Sequence, residues 1–182
     1  MSRILILYGT GEGQTRKVAN RIAEVAGGRG HEVEMVKGNK APADFSPKGF
    51  DAAIIGTSIH MGLHQISVKK LVKANRNDFN NMPCAYFCVC LTAISDKSQD
   101  KMQVEKYIND FKGYTGLQPA LTAVFAGALR YPYYNFIKRF MVKLVARRMC
   151  ADTDTKREFE YTNWQAVDRF AEGFLDSLKL EG

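Results

Sequence analysis

Apolar residues fall into five short runs, separated by longer stretches in which apolar and polar positions alternate with the period of a helix. The runs are Ile4 to Tyr8, Glu32 to Val36, Ala52 to Gly56, Cys84 to Leu91 and Leu121 to Ala126, of strand length and mostly rich in β-branched and aromatic residues. Helical periodicity predicts helices over Thr15 to Arg29, Val68 to Asn75, Met102 to Phe111, Tyr134 to Met149 and Asn163 to Lys179. Gly27, Gly28 and Gly30 make a glycine-rich stop for the first of these, and Thr162 with Gln165 three residues later predicts a capping box for the last. Near-continuous apolar strands alternating with helices describe a parallel sheet covered on both faces, the doubly wound α/β class.

Length and composition agree with that class. The 182 residues, 46% hydrophobic and 25% charged, suit one domain over 1–182 with a continuous core. No repeat, linker or low-complexity segment interrupts it. No apolar run approaches the ~18 residues of a spanning helix, and Ile4 to Tyr8 is too short for a signal-peptide core, so the expected location is cytoplasmic. Cys84, Cys88, Cys90 and Cys150 form neither a CxxC pair nor a disulfide framework, and the period of two over Cys84 to Cys90 predicts reduced thiols on one strand face.

Charge is uneven. Residues 111–151 hold Lys112, Arg130, Lys138, Arg139, Lys143, Arg147 and Arg148 and no acid, which accounts for the whole formal excess of +7. The rest of the chain is neutral, so a basic segment is attached to a neutral domain.

The candidate chemistry begins at residues 9–15, GTGEGQT. A Walker A loop needs a Lys before its Ser/Thr, and here Gln14 precedes Thr15. A dinucleotide fingerprint needs GxGxxG and a carboxylate ending the second strand, whereas Gly9, Gly11 and Gly13 fall at GxGxG and that strand ends in Val36-Lys37. What remains is a loop of backbone N–H donors and hydroxyls at a helix N-terminus, suited to a monophosphate or, more simply, to a tight strand-to-helix turn capped by Thr15.

The stretch Tyr8-Gly-Thr-Gly-Glu-Gly-Gln-Thr15 resembles the FMN phosphate loop of flavodoxins. Residues 125–164, FAGALRYPYYNFIKRFMVKLVARRMCADTDTKREFEYTNW, together with Ile55-Gly-Thr-Ser-Ile59 and Asn81-Met-Pro83, are similar to the bacterial quinone-dependent protoporphyrinogen IX dehydrogenases, flavodoxin-like proteins with an insertion near the fifth strand. The resemblance implies a five-stranded sheet of order 2-1-3-4-5, with a basic helical insertion at about 127–155. It also implies FMN as cofactor, protoporphyrinogen IX as substrate and a membrane quinone, menaquinone or ubiquinone, as acceptor.

Carried over residue by residue, Thr10, Gly11, Glu12, Gly13, Gln14 and Thr15 would wrap the phosphate. Thr57, Ser58, Ile59, His60, Met61 and Gly62 after the third strand, and Leu91, Thr92, Ala93 and Ile94 after the fourth, would border the flavin ring at the carboxyl ends of the strands, where doubly wound sheets place ligands. These two loops contain no Tyr or Trp, whereas electron-carrier flavodoxins commonly shield their flavin with such rings. His60 and His64 are candidates for hydrogen bonding the flavin or accepting a substrate proton, or are plain loop residues; His31 is expected at the surface.

In the basic segment, Phe136, Ile137, Phe140, Met141, Leu144 and Val145 cover about half of a helix, with Lys138, Arg139 and Lys143 pointing away. Two readings are open: a helix packed on the sheet with a solvated basic face, or an interfacial helix on an anionic membrane surface, which would make the protein peripheral on the cytoplasmic face. Arg130, Lys138 and Arg139 are candidates for the substrate's propionates. No metal site and no nucleic-acid motif is evident, so neither partner is expected. The rival functions are a flavodoxin-type electron carrier and an FMN-dependent quinone reductase.

Overall fold

The structure, a computed structural model, describes residues 1–148 and 151–180. Cys150, and the side chains of Ile137, Lys138, Arg139, Met141, Val145, Arg148, Lys179 and Leu180, lie outside the described part.

In chain order the elements are β1 (Arg3–Gly9), α1 (Gln14–Gly28), β2 (Glu32–Lys37), β3 (Ala52–His60), β4 (Leu63–His64), α2 (Ile66–Ala74), α3 (Arg76–Asn80), β5 (Cys84–Cys90), α4 (Ser98–Thr115), β6 (Leu121–Ala126), β7 (Ala128–Arg130), α5 (Phe136–Arg148), β8 (Glu158–Glu160) and α6 (Trp164–Leu180). The main sheet runs β2-β1-β3-β5-β6 with every neighbour parallel. Counting those five strands alone, the order is 2-1-3-4-5, as the resemblance implies.

Successive strand residues serve opposite faces. Ile4, Ile6, Ile54, Ala85 and Phe87 pack with Val18 and Ile22 of α1 and Val167, Phe174 and Leu175 of α6. Leu5, Leu7, Ile55, Tyr86 and Cys88 pack on the other face with Val68 and Val72 of α2, Phe79 of α3 and Phe111 of α4. The Phe87 ring lies over Gly56 of the neighbouring strand, and this requires a glycine: a Cβ on Gly56 would stand 2.3 Å from that ring. On the surface, the Arg21 guanidinium forks onto both Asp168 oxygens at 2.7 and 2.9 Å, tying α1 to α6.

Several local details differ from the sequence expectation. β3 continues past Gly56 to His60, because β4 folds back on it in an antiparallel pair, Ile59 opposite His64 and His60 opposite Leu63. The cap of α6 is Asn163, whose Oδ1 accepts the Ala166 N–H at 3.0 Å. Thr162 is turned elsewhere: its hydroxyl donates to the Ala126 carbonyl at 2.8 Å and accepts from Gln14 Nε2 at 2.9 Å. Cys84, Cys88 and Cys90 are buried and free, with burial pushing the Cys84 thiol up to about 12.

Residues 127–161 form a subsidiary unit. β7 and β8 pair antiparallel with Arg130 opposite Glu158, and the Tyr161 N–H donates to the Gly127 carbonyl at 3.1 Å. Leu129, Tyr131, Tyr134 and Ala146 make a small core of their own, joined by Leu91, Val142 and Phe159. α5 therefore packs on this cluster through Val142 and Ala146, while Phe136, Phe140 and Leu144 stand 85%, 60% and 50% exposed.

Candidate functional site

The glycine loop is built by its own polar atoms. Thr10 Oγ1 accepts the Gly13 N–H at 2.8 Å, closing a tight turn that ends with Gly13 at φ +91, the N-cap of α1. That left-handed conformation is open to glycine at little steric penalty. No side chain caps the helix and no acid stands in its first turn, so its first N–H groups and the positive end of its dipole face out of the loop. The Thr15 hydroxyl and the Gln14 Oε1 are buried without a hydrogen-bond partner. An anion above the helix N-terminus would supply what these groups lack. The plain capped turn required Thr15 to be spent on the cap, and it is not.

The loop leans on the end of β3. The Gly11 N–H donates to Ser58 Oγ at 3.3 Å, and Gln65 Nε2 donates to the same oxygen at 2.9 Å. A Cβ on Gly11 would stand 2.4 Å from His60 Nε2, so the imidazole covers the glycine. After His60 the chain reverses through Met61 and Gly62, at φ +51 and +78, a two-residue hairpin with both central residues at positive φ. Met61 is 85% exposed.

Between these parts lies a groove of about 1010 Å³. Of the residues named from sequence, Thr10, Gly11, Glu12, Gln14, Thr15, Ser58, Ile59, His60, Met61, Gly62, Leu91, Thr92 and Arg130 line it. Ala93 and Ile94 turn instead to a neighbouring hollow of about 280 Å³ beside Phe125 and Ala166. Gly13 lies outside the lining, although a Cβ there would stand 3.6 Å from Arg130 Nη1. Lys143 is part-buried on α5, and Lys138 and Arg139 fall outside the described side chains.

Thr57 and His64 are buried beneath the groove floor. The Thr57 hydroxyl meets Tyr86 Oη at 2.9 Å and His64 Nδ1 at 3.1 Å, and His64 Nε2 lies 2.9 Å from the Tyr107 carbonyl. A carbonyl only accepts, so Nε2 carries the hydrogen and Nδ1 accepts from a hydroxyl. Burial holds the His64 pKa below its ordinary value, partly opposed by the bond to the Tyr107 carbonyl. The imidazole stands behind the groove wall that Tyr107 lines and is not itself part of the lining.

Sequence reasoning missed one wall. Gln99, Gln103 and Tyr107 of α4 line the groove at a spacing of four, a helix stripe that periodicity could have exposed. Tyr134, Asn135 and Val142 of the 127–161 unit close the opposite side. The Tyr134 hydroxyl donates to the Glu12 carboxylate and accepts the Arg130 N–H at 3.1 Å. Its pKa is raised by burial and then by the bond to Glu12, so the phenol keeps its proton.

Comparison with known proteins gives the family and the fold. Residues 5–156 match the family model described as a flavodoxin domain. The chain is 32% identical over 169 residues, 93% of its length and 92% of the relative's, to a protein of Escherichia coli (strain K12) named protoporphyrinogen IX dehydrogenase (quinone). A Leishmania major protein of the same name is 32% identical over 94% of this chain and 74% of its own. Among solved structures, oxidised flavodoxin 1 of Bacillus cereus superposes with a TM-score of 0.57 at 13% identity, over 96% of this chain and 98% of that one. The Fusobacterium nucleatum flavodoxin bound to flavin mononucleotide does so at 0.53 and 12%, over 100% and 99%. By fold, family model and these relatives, the chain belongs to the flavodoxin-domain family, in the branch whose relatives are named protoporphyrinogen IX dehydrogenase (quinone).

Proposed function

We propose that the chain binds FMN in the groove and oxidises protoporphyrinogen IX to protoporphyrin IX, a step of haem biosynthesis, passing the electrons to a membrane quinone from a peripheral position on the membrane. The observation that carries this reading is the groove itself: one cavity joins an uncapped helix N-terminus, with a buried unpartnered hydroxyl, to the carboxyl ends of β3 and β5. The relatives' names supply the substrate and the acceptor class.

The donor set suits the cofactor. Backbone N–H groups and hydroxyls of Thr10 to Thr15 would hold a monophosphate, while Ser58 to Gly62, Leu91 and Thr92 would border the flavin ring. Bound FMN would supply two-electron redox chemistry. Removing six electrons and six protons from the porphyrinogen takes three such rounds. The chain's part is to bind, orient and exclude water. Val89, Leu91 and Val142 form apolar wall, and His60, which lines the same groove, would take up a released proton. Phe136, Phe140 and Leu144, with Lys143 on the same helix, would meet the lipid headgroups.

The test is anaerobic. FMN-loaded protein is mixed with protoporphyrinogen IX and then with a menaquinone analogue while flavin absorbance is followed. Bleaching by the first and recovery with the second is expected. Absence of bleaching by porphyrinogen, with bleaching by a flavodoxin reductase, makes the protein an electron carrier; bleaching by NAD(P)H makes it a quinone reductase.

A further inference from the structure

Resting on the FMN reading, we propose that Arg130 of β7 is the cation for the FMN phosphate, so that the 127–161 unit completes the cofactor site. Four observations converge on it. The Arg130 side chain is only 24% exposed and lines the same groove as the glycine loop. Its Nη1 lies 3.6 Å from where a Gly13 Cβ would be, beside the residue that opens the anion-facing end of α1. Its backbone is held by the Arg130–Glu158 pairing and by the Tyr134 hydroxyl. Its buried Nε has no hydrogen-bond partner, the Glu158 carboxylate standing 3.8 Å away.

Charge gives the reason. The loop Thr10 to Thr15 contains no Lys or Arg and does contain Glu12, while a bound phosphate monoester brings roughly −1.5 to −2 at neutral pH. Neutral donors and the helix dipole favour that anion, but Glu12 opposes it. Two features of the 127–161 unit answer the opposition: Tyr134 hydrogen bonds the Glu12 carboxylate, and Arg130 adds positive charge at the loop. The nearby Lys17 is committed elsewhere, its Nζ 2.6 Å from Glu160. A guanidinium is suited to this position because it stays charged and presents a planar set of donors to phosphate oxygens. Arg130 then belongs to the phosphate rather than to a substrate propionate.

The two ligands FMN and riboflavin share a ring and differ in the phosphate, so their comparison isolates the contact. Apoprotein is titrated with each, by quenching of flavin fluorescence, for wild type, Arg130→Gln and Arg130→Lys. The expected result is an Arg130→Gln chain that binds FMN at least tenfold more weakly and riboflavin within twofold of wild type. Arg130→Lys should fall between, and the salt dependence of FMN binding should flatten in Arg130→Gln. Should Arg130→Gln not fold, the ratio of the two affinities in Arg130→Lys serves the same purpose. Equal weakening of both ligands, or unchanged FMN affinity, overturns the assignment. So does a raised KM for porphyrinogen at saturating FMN with the FMN preference intact, which returns Arg130 to the substrate. A wild-type chain that binds neither flavin overturns the cofactor reading itself.

Discussion

Tyr134 donates its phenolic hydrogen to the carboxylate of Glu12, 122 residues earlier in the chain, and so bolts the 127–161 unit to the glycine loop. The same oxygen accepts the Arg130 N–H. Tyr134→Phe removes both partners while leaving the ring in the Leu129–Tyr131–Ala146 cluster. A hydrogen bond to a charged group contributes about 1.5–3 kcal/mol, and each kcal/mol moves Tm about 2–4 °C in a chain of this size. The expected outcome is a lower Tm by calorimetry and faster proteolytic cleavage within 131–151. Wild-type cleavage there would show that the bolt does not hold the unit.

Thr15→Val should separate ligand binding from stability. The Thr15 hydroxyl is buried and has no protein partner, so an isosteric methyl removes an unsatisfied group, and the unliganded chain should be as stable as wild type or more so. If the hydroxyl serves an FMN phosphate, affinity falls at least tenfold, about 1.4 kcal/mol. Isothermal titration and thermal melts of the apoprotein read the two effects with opposite expected signs.

What was legible in the sequence was whatever many residues specify together. Four of the five long strands announce themselves through nearly continuous apolar side chains, and β2 through alternation, because the sheet is covered on both faces. Elements of two or three residues, such as β4, β7 and β8, carry too few positions to show a period, and α3 spans barely more than one turn. The capping pattern Thr162-x-x-Gln165 misled because a local motif competes with distant partners: Ala126 and Gln14 claim the Thr162 hydroxyl. The glycine loop announces itself through its glycines and hydroxyls, whereas its neighbours Tyr134 and Arg130 come from a segment whose approach only tertiary structure reveals.

Gly56→Ala tests the seating of the Phe87 ring over β3. Its Cβ would stand 2.3 Å from the Phe87 ring, and both residues are buried in the sheet. Overpacking of this kind costs about 1–3 kcal/mol. Urea unfolding should show that loss, and Phe87→Leu in the same chain should restore part of it, since the clash is with the ring. A double variant no better than Gly56→Ala would place the strain in the backbone instead.

His64 should make the protein sensitive to mild acid. Burial lowers its folded pKa, so the folded state binds fewer protons than the unfolded state below the ordinary value of about 6.5. Stability from this group is therefore complete above about pH 6.5 and is lost as pH falls from there toward the lowered folded value. Protonation would also set a second ring hydrogen against the Thr57 and Tyr86 hydroxyls, which must then turn to accept. The urea midpoint should drop between pH 7.5 and 5.5, and His64→Gln should flatten that part of the profile. An equally steep fall in His64→Gln assigns the effect to other groups.

The last prediction concerns α5 and the membrane. A helix packed on the sheet would bury the stripe Phe136, Phe140 and Leu144, yet Phe140 is 60% and Leu144 50% exposed, while Val142 and Ala146 face the small core. Polar replacement of the stripe should therefore leave folding intact, whereas the same change in a buried stripe would not. Interfacial binding draws on apolar area and on attraction between basic residues and anionic lipid, so the two parts separate by mutation. Phe140→Ser with Leu144→Ser should weaken cosedimentation with phosphatidylglycerol vesicles at least tenfold at any salt concentration, with Tm within a few degrees of wild type. Lys143→Gln with Arg147→Gln should weaken it mainly at low salt, because exposed charges are screened beyond about 10 Å at 0.1 M. Met61, on the hairpin that borders the groove, is a further exposed apolar residue at 85%, and Met61→Ser should reduce membrane-quinone turnover more than turnover with a soluble quinone. Undiminished vesicle binding in the Phe140 and Leu144 variant would remove α5 as the anchor, and equal losses with both quinones in Met61→Ser would assign that residue to the flavin site rather than to the lipid boundary.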